Sequence, residues 1–178
     1  MRPLLLLTIF LASCVSGGGG DKPDETDRIG IGDRVPEFVL EDGSSGGEFR
    51  SPDDFLGNKT LLMFFTTWCP YCQREMPFVD NAYRKLTEAG LSVVVINREE
   101  ARWKVEEYWS DNGYVMPWWL DPDKGIFDLF AISGVPRFYL VDEQGIIVWF
   151  RVGRIGTGDF TEEGGNQFNT LIREFLKI

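Results

Sequence analysis

The chain has 178 residues, 43% of them hydrophobic, which is enough for one packed domain with additional segments. Its formal charge is −10 and it contains no basic run, so a nucleic-acid partner is not expected. It contains no histidine, which removes histidine-ligated metals, Ser-His-Asp triads and Cys-His proteases together, and no metal site is expected.

Met1-Arg2 supplies a positive start, and Leu4 to Ala12 is an apolar run too short to cross a bilayer. This is the pattern of a secretory signal. Leu11-Ala12-Ser13-Cys14 resembles the lipobox of bacterial lipoproteins. That resemblance implies a signal peptide over residues 1–13 and a lipid anchor on Cys14. The alternative is an ordinary secretory signal with an incidental cysteine. Either reading puts the protein outside the cytoplasm, and the first ties it to a bacterial membrane, on the periplasmic side or at the cell surface. Residues 14–29 hold Gly17 to Gly20 followed by Asp21-Lys22-Pro23-Asp24-Glu25, with no apolar periodicity. They read as a flexible tether.

The folded domain is expected over residues 30–178. Arg34 to Leu40 reads as a strand, Glu41 to Gly47 as a turn and Glu48 to Arg50 as a short return strand, together an N-terminal hairpin. Pro52 to Leu56 suits a short helix capped by Ser51 or Asp54. Leu61 to Phe65 is a continuous apolar run of strand length, as in a central strand buried on both faces. From Pro70 to Ala89, Met76, Val79, Tyr83 and Leu86 recur at helical spacing, and Gly90 ends the helix. Leu91 to Asn97 is a second buried strand, parallel to the first across that helix. Helix Glu99–Asn112, strand Val115–Leu120, helix Gly125–Ala131, and strands Pro136–Val141 and Ile146–Val152 around a tight turn follow. A last helix starts at Thr161 or Asn166, with Phe168, Leu171, Ile172, Phe175 and Leu176 inward.

Trp68-Cys69-Pro70-Tyr71-Cys72 lies where the first buried strand gives way to the first long helix. Two cysteines separated by two residues can close and reopen a small disulfide ring. Pro70 suits the first helical turn, where its missing N–H costs nothing. Cys69 then stands at a helix N-terminus, whose free N–H groups and dipole favour a thiolate. Cys69 is the expected nucleophile and Cys72, one turn on, the resolving thiol. Three other uses of the pair remain open: half a zinc site, an inert structural disulfide, or a peroxidatic site with Thr66 three residues before Cys69. No further cysteine or histidine is placed to complete the zinc site.

The run Phe64 to Pro77 resembles the thioredoxin fold and, more closely, the TlpA/ResA-like branch of thiol-disulfide oxidoreductases within the redoxin/AhpC-TSA superfamily. The resemblance covers roughly Gly30 to Ile178, including Gly32-Asp33-Arg34-Val35-Pro36-Glu37-Phe38 and Ile132-Ser133-Gly134-Val135-Pro136. It implies a three-layer α/β/α sandwich, a mixed central sheet with an added N-terminal hairpin. It implies a redox-active Cys69–Cys72 disulfide and no other cofactor. The partners it implies are protein thiols and disulfides and a thiol-reducing electron donor in the membrane, with reduction of apocytochrome c as one use. Pro136 matches a cis-proline facing the disulfide, with Val135 beside it. Pro77 matches a proline inside the active-site helix. Glu75 matches an acid that tunes the cysteines and relays protons.

The chain departs from the pattern in several places. Met63 stands where thioredoxins bury an aspartate, and Arg137 replaces the usual threonine after the cis-proline. Arg137 reads either as a guanidinium acting on Cys69 or an acidic substrate, or as an outward-facing strand residue. Tyr71 gives a glutaredoxin-like Pro-Tyr pair, and Trp68 is expected both to pack and to shield the sulfurs. Trp103, Trp109, Trp118 and Trp119 read as core packing or as a partner groove. Asp121 to Gly125 reads as a turn, since it lacks the terminal glutamate of a calcium loop. The rival functions are a thiol peroxidase and a non-enzymatic surface lipoprotein with a thioredoxin-like binding domain.

Overall fold

The computed structural model describes residues 25–155 and 167–177, so the signal segment, Cys14 and residues 15–24 of the expected tether lie outside the described residues. The elements in chain order are β1 (Leu40–Asp42), β2 (Phe49–Arg50), a 3-10 turn (Pro52–Asp54), β3 (Lys59–Phe65), α1 (Pro70–Glu88), β4 (Leu91–Arg98), α2 (Arg102–Asn112), β5 (Trp118–Asp121), α3 (Phe127–Phe130), β6 (Arg137–Val141), β7 (Ile147–Val152) and α4 (Gln167–Leu176). They form one 7-stranded sheet in the order β2-β1-β5-β4-β3-β6-β7.

Leu61 to Phe65 has no polar residue to face water, so β3 lies at the sheet interior between β4, parallel, and β6, antiparallel. Alternation sorts its side chains. Leu61, Met63 and Phe65 face α1, α2 and α4, together with Val93 and Val95 of β4 and Phe138 and Leu140 of β6. Leu62 and Phe64 face the other way, with Val94, Ile96, Tyr139 and Val141, and are closed over by Phe38, Phe55, Phe127 and Phe130. This is the expected layering, a mixed sheet with helices on both faces and a hairpin at one edge. On α4, Ile172 is buried, and Leu171, Phe175 and Leu176 pack beside it as expected. The side chain of Phe168 and the residues Thr161 and Asn166 lie outside the described residues.

The structure differs from expectation in four places. The strand expected over Arg34–Leu40 is realised only from Leu40. Pro36 has no N–H to give a ladder, and the stretch before it pairs instead with the turn ahead of β7, through an Arg34–Ile146 bridge and a bond from the Val35 N–H to the Gly145 carbonyl. Helix α2 starts at Arg102 rather than Glu99, because Glu99 adopts a left-handed φ of 64°. Strand β5 begins after Pro117. Residues 25–29, expected in the tether, are docked: Asp27 bridges Ala131, and the Arg28 and Ile29 N–H groups donate to the Phe130 carbonyl.

Candidate active site

Cys69 is the N-cap residue of α1, in extended conformation, and Pro70 opens the helix. Its carbonyl accepts the Gln73 N–H at 2.9 Å, so the sulfur sits beside the unpaired N–H groups of the first turn. The two thiols are unbonded and unequal: Cys69 is 6% exposed and Cys72 is 0%. Burial pushes the Cys72 thiol far above its ordinary range, and the Cys69 sulfur nearby adds to this, while the Thr66 backbone N–H works against it. The Val135–Pro136 peptide is cis, and the Val135 carbonyl lies 3.4 Å from the Cys69 sulfur, accepting its S–H. A strand-to-helix corner and a loop 66 residues away thus meet at one sulfur.

Two buried acids brace the corner. Glu75, 0% exposed and one turn beyond Cys72 on α1, accepts from Arg154 Nε at 2.7 Å and from the Ile155 N–H at 3.3 Å. Glu100 lies between the end of β4 and α2. It accepts from the Thr67 N–H at 2.6 Å, from the Thr67 hydroxyl and from Asn97 Nδ2 at 2.7 Å. The Thr67 carbonyl in turn accepts from Gln73 Nε2 at 2.8 Å, which ties the residue before Trp68 to both sides of the corner. Sequence reasoning missed Glu100 and Arg154. Glu100 reads as one of two adjacent acids entering a helix, and its partner Thr67 is 33 residues away. Met63, at the position of the thioredoxin aspartate, is fully buried among apolar neighbours and supplies no base.

Other candidates fall elsewhere. Arg137 neither reaches Cys69 nor faces outward. It is fully buried, and its strand parity puts it with Tyr139 on the sheet face away from α1, where it pairs with Asp27. Trp68 does not pack inward: it is 60% exposed, and Tyr71 is 57% exposed with the Arg74 guanidinium 6.0 Å from its ring centroid. Trp109, Trp118 and Trp119 are core residues, with Trp109 Nε1 donating to the Met116 carbonyl at 2.9 Å. Trp103 alone of the four is exposed, at 61%. Asp121 to Gly125 is a turn in which the Asp121 carboxylate accepts the Ile126 and Phe127 N–H groups at the start of α3. Among the described residues no group of three or more acids and cysteines is placed to hold a metal ion, and no helix is long and apolar enough to cross a membrane.

A thiol at a helix N-terminus that keeps 6% of its surface exposed, backed by a fully buried thiol one turn on, suits two-step exchange with a disulfide. Known proteins carry the same chemistry. ResA, a thiol-disulfide oxidoreductase of Bacillus subtilis (strain 168), is 29% identical over 147 residues, 83% of this chain and 78% of its own. DsbE, a thiol:disulfide interchange protein of Vibrio cholerae, is 27% identical over 172 residues, 96% of this chain and 91% of its own. The crystal structure of StoA from Bacillus subtilis superposes with a TM-score of 0.57 at 25% identity, covering 68% of this chain and 90% of that one. The sheet is therefore thioredoxin-like, with the cysteine pair at its corner between β3 and α1. Since residues 31–167 match the family model described as Redoxin, this chain belongs to the Redoxin family and is a thiol-disulfide oxidoreductase.

Proposed function

We propose that the protein is a lipid-anchored, extracytoplasmic reductant of protein disulfides that needs no cofactor beyond its own cysteine pair. The observation that carries this reading is the inequality of the two thiols at the start of α1, Cys69 with 6% of its surface exposed and Cys72 with none. Cys69, as thiolate, attacks one sulfur of a target disulfide. A mixed disulfide forms and the first target thiolate leaves. Cys72 then gives up its proton and attacks the Cys69 sulfur, which closes the Cys69–Cys72 disulfide and releases the second target thiolate. A dithiol donor in the membrane restores the pair by the reverse exchange.

Burial makes Cys72 a reluctant acid, so the resolving step needs a proton acceptor. Glu75 is the acid on the same helix face, and each of its oxygens keeps a lone pair beyond the bond it already accepts. Trp68 and Tyr71, both exposed beside Cys69 in the chain, offer a surface for the target polypeptide. Anchoring rests on the Leu11-Ala12-Ser13-Cys14 motif, and reduction of apocytochrome c before haem attachment on the likeness to the ResA and DsbE proteins.

The test is reduction of insulin disulfides and of a haem-free CxxCH peptide disulfide by the reduced protein. Cys69→Ala is expected to abolish both, and full retention of either would defeat the exchange mechanism. In cells, Cys14→Ala should move the protein from the membrane fraction to the soluble extracytoplasmic fraction, and unchanged membrane retention would remove the anchor. A second reading, thiol peroxidase, draws on Thr66, whose buried hydroxyl lacks a hydrogen-bond partner three residues before Cys69. Lack of peroxide turnover removes it.

A further inference from the structure

Arg137 and Asp27 form the most deeply buried ion pair among the described residues, with side chains 0% and 2% exposed. Enclosing two charges is costly, and such a pair is better explained by the one arrangement it specifies than by added stability. The arrangement here is a clamp around the loop that leads into β6. Arg137 Nη2 donates to the Ser133 carbonyl at 2.7 Å, and Nε donates to the Gly134 carbonyl at 3.4 Å. On its other side Nη1 holds the Asp27 carboxylate, and Nη2 also reaches the Thr26 hydroxyl at 3.2 Å. The Thr26 carbonyl accepts the Ile132 N–H at 2.7 Å, so segment and loop are joined by backbone as well as by charge. Gly134, with φ +89°, leaves room for the guanidinium: a Cβ there would lie 3.4 Å from Nη2 and 3.0 Å from a Val152 methyl. The next carbonyl in the chain is that of Val135, the acceptor of the Cys69 thiol at 3.4 Å. One side chain on the far face of the sheet therefore grips the two carbonyls that precede the one touching the reactive sulfur.

We propose that Arg137 is a positioning residue: with Asp27 it straps residues 25–29 to the Ser133–Val135 loop and so holds the Val135 carbonyl against Cys69. The proposal rests on disulfide exchange at Cys69 and Cys72. The bond from the Cys69 thiol to the Val135 carbonyl exists only in the dithiol. A loosened strap therefore disfavours the dithiol relative to the disulfide.

The test uses full-length protein carrying Asp27→Asn, Arg137→Lys, Arg137→Gln or the Asp27→Asn/Arg137→Gln pair, each checked for folding by circular-dichroism melting. The readout is the glutathione equilibrium, in which dithiol and oxidised glutathione convert to protein disulfide and two reduced glutathione molecules. Asp27→Asn and Arg137→Gln are each expected to move it about two- to five-fold toward the disulfide, the span of a weak S–H···O bond. The double variant should move it no further than the larger single change, and Arg137→Lys, which keeps the charge, less than Arg137→Gln. A folded Asp27→Asn protein with the wild-type equilibrium would overturn the proposal, as would shifts that simply add. If Arg137→Gln does not fold, Asp27→Asn and Arg137→Lys decide by the same criteria. Should the wild-type protein fail to reduce protein disulfides, the functional reading falls, while the glutathione equilibrium still reports on the strap.

Discussion

The two faces of the central sheet are both closed by aromatic and aliphatic side chains, yet they hold buried charge in different ways. On the far face, Asp27 and Arg137 answer each other, charge against charge, with both side chains enclosed. On the cysteine face, Glu75 and Glu100 are held largely by backbone N–H groups and neutral side chains of neighbouring loops, and the one cation, Arg154, is itself 40% exposed. The far face is built to stay shut. The cysteine face keeps acids whose oxygens are shared among several segments far apart in the chain. The same alternation along β6 that sends Phe138 toward Cys72 sends Arg137 away from it.

This contrast can be broken most forcefully at Phe64, which packs on the far face with ring centroids 4.9 Å from Phe130 and 5.3 Å from Phe127. Phe64→Ala should cost about 3–5 kcal/mol of unfolding free energy in urea titration. Exchange per folded molecule should be unchanged. A protein of normal stability that has lost exchange would show that the far face is not a packing layer. The next effect is at Glu100. Glu100→Ala strips acceptors from the Thr67 N–H and Asn97 and should cost about 1–3 kcal/mol. Exchange with insulin should slow as well, because the residue before Trp68 comes loose; wild-type rate in a destabilised protein would make Glu100 a structural acid only.

The smallest effect sharpens the comparison through pH. The folded Cys72 thiol is shifted up by burial, so the folded reduced protein keeps its proton after the unfolded chain, with an ordinary thiol near about 8.5, has lost it. The associated stability is full below about pH 8.5 and declines above it by up to about 1.4 kcal/mol per pH unit. Reduced protein should therefore lose about 1 kcal/mol relative to Cys72→Ala protein on going from pH 8 to about pH 9.5, measured by urea titration. Parallel curves for the two proteins would mean that Cys72 is not enclosed in solution.

Much of the architecture could be read along the chain. An uninterrupted apolar run marked β3, since only a strand covered on both faces uses one. Spacings of three and four marked α1, and the pair Cys69 and Cys72 at the junction marked the chemistry. Where reading failed, the missing information was a distant partner. Arg34 to Val39 has strand-like residues but pairs outside the main ladder around Pro36. Arg137 was judged from its neighbours in sequence, whereas its partner Asp27 is 110 residues earlier, in a stretch with no helical or strand period to draw notice. Trp68 was expected to pack inward, and a lone tryptophan beside a cysteine does not reveal which side of the corner it takes.

The sequence by itself determined where the thiol pair stands in the fold, because a thiol pair, a helix start and a buried strand are each written in local pattern. Only the tertiary structure decided which acids reach the corner, and that Arg137 grips the loop from behind rather than facing the sulfur. Those outcomes depend on the parity of a strand and on contacts between segments far apart in the chain, which packing sets and local pattern does not.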